Sequence, residues 1–336
     1  LKLIGSSLAR HGIPIITIDF HGDVLFPGQT SVQLQAGRVG GYQSSPGLNP
    51  LALEPSYVNR VGLEVKIARE VDRIERATGR MGHKQRSCLR QILIEAYREE
   101  GIWVGHPETW ANEPPTLEDV AQTLAGACDK GMKEFERQVV MGCYSKVDTL
   151  VCNAVFRQRD WLTVDHLLNW NMRLDCSLLG REARLLVAET VLEMVFEAGR
   201  AAGPIPVAPR SDAERYRAFV MIDEAKILSL GRGNAEDSAH ILNVLITEGR
   251  KYGIGLILAS QMSGHFGSEV HANVATRLAM KRMDPREAKL VARQMGLDPA
   301  ELVSTESPPG MAYFRSASTA GTIQLQLGQA PASAGH

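Results

Sequence analysis

The apolar positions of this chain change their spacing three times. Leu1, Ile4 and Leu8 recur at helical intervals, and Gly12 follows as a stop. Pro14 to Phe20 (PIITIDF) is a short β-branched run bounded by Gly and Pro, which predicts a buried strand. Residues 24–56 are rich in Gly, Pro and Ser and read as loops, with one short strand near VQLQA. From about Tyr57 to Trp170 the texture is helical. Leu63, Ile67 and Val71 fall on every fourth residue and Ile74 continues the face; Leu89, Ile92 and Leu93, then Ala96, repeat it. Residues 101–116, with two Trp and three Pro, form an irregular connector, and more helix runs to about Asp160. No fixed-period repeat is present.

Strand and helix then alternate. NMRLDCSLL reads as a strand and REARLLVAETVLEMVFEAGRAAG as a long helix stopped by Gly. AFVMIDEA is a strand ending in two acids, EDSAHILNVLITEGRKYG a helix, and IGLILASQ a strand with a polar exit. TRLAMKRM, GMAYFR and TIQLQL give three more short strands. Such alternation of apolar strands with helices predicts a parallel sheet covered on both faces. The expected class is α/β with an all-helical insertion. The expected division is residues 1–56 and 171–327 as two parts of one core, 57–170 as the insertion, and 328–336 as a loose, small and polar tail.

Composition narrows the function classes. Of 336 residues, 44% are hydrophobic and 22% charged, which excludes a disordered chain. No apolar run approaches the roughly 18 residues of a membrane helix. The net charge of −1 excludes a generally basic nucleic-acid coat but leaves room for a local basic channel. Cys88, Cys128, Cys143, Cys152 and Cys176 form no CxxC pair, which fits reduced thiols and argues against zinc.

Candidate chemistry gathers at strand ends. In Phe219–Ala225 (FVMIDEA) four apolar residues bury a strand and Asp223 and Glu224 emerge at its carboxyl end, where parallel sheets bind ligands. One acid there can hold a magnesium ion and the second can activate a water; the plainer alternative is two acids that cap the next helix. In GRKYGIGLILASQ, Gly249, Arg250 and Lys251 end a helix, and Ser260 and Gln261 sit at a strand exit within reach of a terminal phosphate. Arg250 and Lys251 equally suit the negative end of the helix dipole. Asp19, His21 and Asp23 offer metal-ligand atoms, but such a cluster more often makes a turn, and no second cluster completes a zinc set. Lys84, Arg86 and Arg90, and separately Arg277, Lys281 and Arg282, could meet phosphates or simply form solvated faces.

In their order, IDFHGD, FVMIDEA, EGRKYGIGLILASQ, NVATRLAMKRMD and PGMAYFR resemble the HerA/FtsK-type RecA-like ATPases, above all the HerA helicases and the TraG-like and type IV secretion conjugative ATPases. The likeness covers about residues 1–55 and 170–330. It implies a RecA-like P-loop NTPase core in a homo-hexameric ring that hydrolyses ATP with Mg²⁺ and moves DNA or a secreted protein. On that pattern Asp223 holds Mg²⁺ through water, Glu224 activates water, Gln261 senses the terminal phosphate and Arg250 reaches a neighbouring subunit. Asp19 and His21 support the nucleotide pocket. A nuclease or a membrane secretion channel is the implied partner, and the implied location is cytoplasmic, with a peripheral place at the inner membrane open.

One departure stands out. GxxxxGK[ST] is absent, and the chain holds no Gly-Lys dipeptide. That loop's N–H groups, lysine and following helix hold phosphates. In the family it precedes a helix such as Leu1–His11. The first residue is Leu1 and the first methionine Met81, so the expectation is a fragment cut just after the loop. The rival is a non-catalytic assembly subunit that kept the fold. A nucleotide-cofactor enzyme on a doubly wound sheet is disfavoured, since no GxGxxG follows a strand.

Overall fold

The computed structural model describes residues 1–35, 46–53, 61–157, 159, 162–229, 241–303, 308 and 310–328. Five strands form one parallel sheet: β1 (Ile15–Asp19), β2 (Thr30–Gln33), β3 (Met172–Asp175), β4 (Ala218–Ile222) and β5 (Ile254–Leu258), in the order β2-β3-β1-β4-β5. All five residues of β1 and all four of β3 are buried, as expected of central strands covered on both faces. The register aligns Asp19 with Asp175, Ile18 with Ile222, and Ile222 with Leu258. The strands therefore end together, and the residues after them share one edge.

Helix α1 (Lys2–Arg10) covers one face of the sheet through Leu8 and Ala9, packed against Ile15, Phe26 and Met221. The other face carries the long helix predicted after NMRLDCSLL. Between β2 and β3 lie the helices of the insertion: α2 (Leu63–Thr78), α3 (His83–Glu99), α4 (Leu117–Lys130), α5 (Arg137–Val151) and the short α6 (Val164–Leu168). The predicted apolar faces point inward: Leu63, Ile67, Val71 and Ile74, and Leu89, Ile92, Leu93 and Ala96, are all buried. Thr116 caps α4 with Asp119 in a reciprocal box. The connector of 101–116 holds a 3₁₀ turn at Pro107–Thr109, tied by the Trp110 indole N–H donating to the Trp103 carbonyl.

Helix α7 (Arg181–Ala201) is buried on nearly every side, because the sheet packs on one flank and α2 on the other. Strand residues Ile16, Ile18, Val220 and Ile222 and the insertion's Leu63, Leu89 and Leu150 belong to one continuous hydrophobic cluster. Toward α2, α7 turns Glu189, Glu193 and Glu197, one turn apart: Glu189 meets Arg76, Glu193 meets Arg73 and Lys66, and Glu197 lies buried beside them.

Two details depart from the sequence expectation. The helix predicted over EDSAHILNVLITEGRKYG is helix α8 (Ile241–Glu248) and then a separate 3₁₀ turn, Gly249–Tyr252, closed by Gly253 at φ 73°; residues 236–240 lie outside the described residues. The three late strands do not extend the parallel sheet. β6 (Thr276–Met280), β7 (Met311–Ser316) and β8 (Ile323–Gln326) form their own antiparallel sheet, covered by α9 (Pro285–Met295) through Ala288, Val291, Ala292 and Met295. In β6 the exposed Leu278 and Met280 flank the buried Ala279, and Ile323 of β8 also faces out, as in a sheet packed on one side only. The expected tail falls almost wholly, at 329–336, outside the described residues. Among the described residues no helix is long and apolar enough to cross a membrane.

Candidate functional site

The sheet's common edge brings Asp19, His21, Asp223, Glu224, Ser260 and Gln261 together. The strand ends are stitched by main-chain bonds: Asp223 N–H donates to the Ile18 carbonyl (3.2 Å), Ala259 N–H to Ile222 (3.0 Å) and Ala225 N–H to Ala259 (2.7 Å). This forces Glu224 into the left-handed region, φ 54°, a conformation that bulky residues adopt only where surrounding structure holds it and that concentrates at functional sites.

Glu224 is only 7% exposed. Its Oε2 accepts from Gln261 Nε2 at 3.0 Å, whereas Oε1 is buried, has no hydrogen bond, and lies 3.5 Å from Lys226 Nζ. Asp223 Oδ2 lies 2.9 Å from His21 Nδ1, a contact in which the ring nitrogen donates to the carboxylate. Ser260 Oγ is 2.7 Å from His265 Nδ1, a histidine that strand-end reasoning did not single out because it lies beyond the strand.

Asp19 supports the site and does not line it. It is fully buried. Its Oδ1 accepts from the N–H groups of His21 and Gly22, and its Oδ2 from Val24 N–H and Arg173 Nε, both at 2.8 Å. Burial alone would raise its pKa; Arg173 and the Val24 and Gly22 N–H groups outweigh that and hold it below the usual carboxylate value. Arg173 also donates to Ser31 Oγ at 2.8 Å and to Asp175 Oδ2 at 3.2 Å. The sequence reading missed Arg173; its one signal is a charge in the middle of a short apolar strand. Carboxylate oxygens of Asp19, Asp23 and Asp223 lie within 4.8 Å of one another. With Asp19 saturated by donors, Asp23 and Asp223 are the two with capacity for a cation.

A cavity of about 560 Å³ opens at this edge, lined by His21, Asp23, Val24, Asp223, Glu224, Ala259, Ser260 and Gln261 and by Leu1 and Lys2 at the start of α1. Leu1 and Lys2 bring the N-terminal, positive end of that helix to the cavity wall, in the same cavity as the acids.

Arg250 lies elsewhere. It is exposed on the 3₁₀ turn before β5, whereas Gln261 follows β5, so about 16 Å of strand separates it from the cavity. Among the described residues no ion pair holds it. Lys84 pairs with Glu136, and Arg86 with Asp72 and Glu75; Arg90 is exposed. Arg277 donates to the His271 and Val274 carbonyls, and Lys281 sits over the Tyr313 ring.

No protein-family model and no curated protein matches the chain. Solved structures do. VirB4 of Thermoanaerobacter pseudethanolicus superposes with a TM-score of 0.65 at 18% identity, over 98% of this chain and 85% of that one. The bacterial conjugative coupling protein TrwB, unbound, gives 0.62 at 14% identity, over 97% and 80%. TrwB in complex with ADP and Mg²⁺ gives 0.59 at 15%, over 97% and 81%. At these identities the likeness shows the fold alone: a five-stranded parallel sheet with flanking helices, shared over nearly the whole chain.

Proposed function

We propose that this chain is the body of an ATP-driven ring motor that moves DNA. The observation that carries the reading is the Asp223–Glu224–Gln261 constellation, set at the carboxyl edge of a parallel sheet in the same cavity as the start of α1. ATP with Mg²⁺ fits these residues. Asp223 and Asp23 have the capacity to hold the ion through water, and the α1 start and Lys2 suit phosphate oxygens. The buried, unbonded Oε1 of Glu224 is placed to accept a proton from water. ATP supplies the phosphoanhydride. Gln261 is already bonded to Oε2, which ties Glu224 to the residue at the next strand exit.

The fold likeness to VirB4 and TrwB supports a conjugative type of motor, assembled as a homo-hexameric ring. Its partner would be a nuclease or a membrane secretion channel, met from the cytoplasmic side. Translocation of a protein substrate is the finer alternative. The test is ATP hydrolysis by the protein from the complete reading frame. Turnover should fall at least 100-fold in Glu224→Gln, while binding of a fluorescent ATP analogue is retained. Wild-type protein that binds nucleotide without turnover would instead support a non-catalytic assembly subunit.

A further inference from the structure

Glu224 and His21 each line two cavities. The second, about 470 Å³, lies beside the first at the same edge. Phe20, Leu179 and Ile227 give it an apolar wall, and Arg181, Arg184 and Lys226 bring three cations against the single carboxylate of Glu224. The two arginines stand in the first turn of α7, whose N-cap, Gly180, offers no side-chain cap, so the helix's positive end adds to the field. Arg184 is anchored through Nε to the Cys176 carbonyl (3.2 Å) and through Nη2 to the Ser177 carbonyl (2.7 Å), which fixes the plane of its guanidinium. Arg181 is exposed at the mouth. An apolar wall beside a cationic rim suits a nucleotide unit, whose base presents an apolar face and whose phosphate is charged.

Lys226 joins this cavity to the first. Its Nζ is the cation nearest Oε1 of Glu224, at 3.5 Å, and that oxygen accepts no hydrogen bond. We propose that the second cavity binds a phosphodiester of a polynucleotide strand, and that the bound phosphate draws Lys226 away from Glu224. Strand binding thereby releases Oε1 of the carboxylate assigned to water activation from its ion pair with Lys226. The inference rests on the proposed ATPase reading for its consequence, but not for the binding itself.

Two measurements test it on the protein from the complete reading frame. The first needs no turnover: binding of a fluorescent 20-nucleotide single strand, with and without inorganic phosphate as competitor. Arg181→Glu should weaken strand binding about tenfold and lower the salt slope by about one, and Arg181→Lys should restore most of it. An acid at the first position of α7 suits the helix dipole, so the variant keeps its fold. Strand binding by Arg181→Glu equal to wild type overturns the proposal. So does inorganic phosphate that binds at Arg181 with no competition from the strand, which would assign the cavity to the free ion. The second is the ratio of strand-stimulated to basal ATP turnover. Lys226→Met should raise basal turnover and bring the ratio close to one; a ratio equal to wild type overturns the coupling. If Glu224→Gln leaves turnover unchanged while Arg181→Glu still weakens the strand, the ATPase reading fails and the binding site stands.

Discussion

Arg173 holds two carboxylates, Asp19 and Asp175, in a region where neither arginine nor Asp19 meets bulk water. Removing one member of such a pair leaves an uncompensated buried charge, so we expect Arg173→Met to cost about 3–5 kcal/mol. Urea unfolding at pH 7 checks this, and Asp19→Asn combined with it should recover part of the loss. The pH sign follows from Asp19. Its folded pKa lies below the unfolded value of about 3.9, so its contribution is complete above that value and is lost as pH falls through the folded pKa. Asp19→Asn should flatten the acid limb of the stability curve. Much of the site is legible at this scale. Asp223, Glu224 and Gln261 follow apolar runs, and runs of that kind end at a sheet edge. Arg173 is not legible, because its partners lie 154 residues before it and two after it, and only the parallel register sets them side by side. The strained φ of Glu224 has no signature in residue type.

Between α2 and α7 the packing is ionic within an apolar frame. Lys66 pairs with Glu70, Arg73 with Glu70 and Glu193, and Arg76 with Glu189. Burial opposes charge on both Glu193 and Glu197, but Arg73 and Lys66 hold Glu193 well below the usual range. Glu197, with burial dominant and Glu193 beside it, is pushed up to about 8. A raised folded pKa gives stability that is complete below the unfolded value of about 4.3 and is lost as pH rises through the folded value. Unfolding midpoints should therefore fall from about pH 4.3 to pH 8 in the wild type, and Glu197→Gln should remove that slope. An identical slope in both proteins would assign it to another group. The helices themselves are legible, since their apolar residues keep one face over several turns. The burial of Lys66, Glu70 and Arg73 is not, because in α2 they look like an ordinary charged flank and the covering carboxylates come 113 residues on, as from Arg76 to Glu189. The same limit hid the second sheet: β6, β7 and β8 were readable as strands, but their pairing is not written in their short, half-polar segments.

For the whole molecule the placement of Arg250 decides what it can do. On its own subunit it stands at the opposite end of β5 from Gln261, so any role at a phosphate requires a neighbour's site. In a ring, Arg250→Ala should lower turnover on the order of 10³-fold, as arginine fingers do. Mixed with Glu224→Gln subunits, each inactive alone, it should recover partial activity. Near-normal turnover of Arg250→Ala would return the residue to a role in dipole capping, worth only about 1 kcal/mol. If the proposed DNA motor is right, a chain of net charge −1 must bind DNA through local cations, and the affinity should drop steeply between low and physiological salt; affinity indifferent to salt would favour a protein substrate.

The continuity of the hydrophobic cluster from the strands through α7 into α2 and α3 has a mechanical meaning. Close-packed interiors have low compressibility and pass strain on with little loss. Among the described residues the cluster runs unbroken from the helical insertion to the strands that lead to Asp223 and Glu224. A push on the outer helices is therefore delivered to the strand tips as displacement, and a change at the tips is delivered outward in the same way. The insertion behaves as a stiff lever bolted to the sheet rather than as an appendage on a tether.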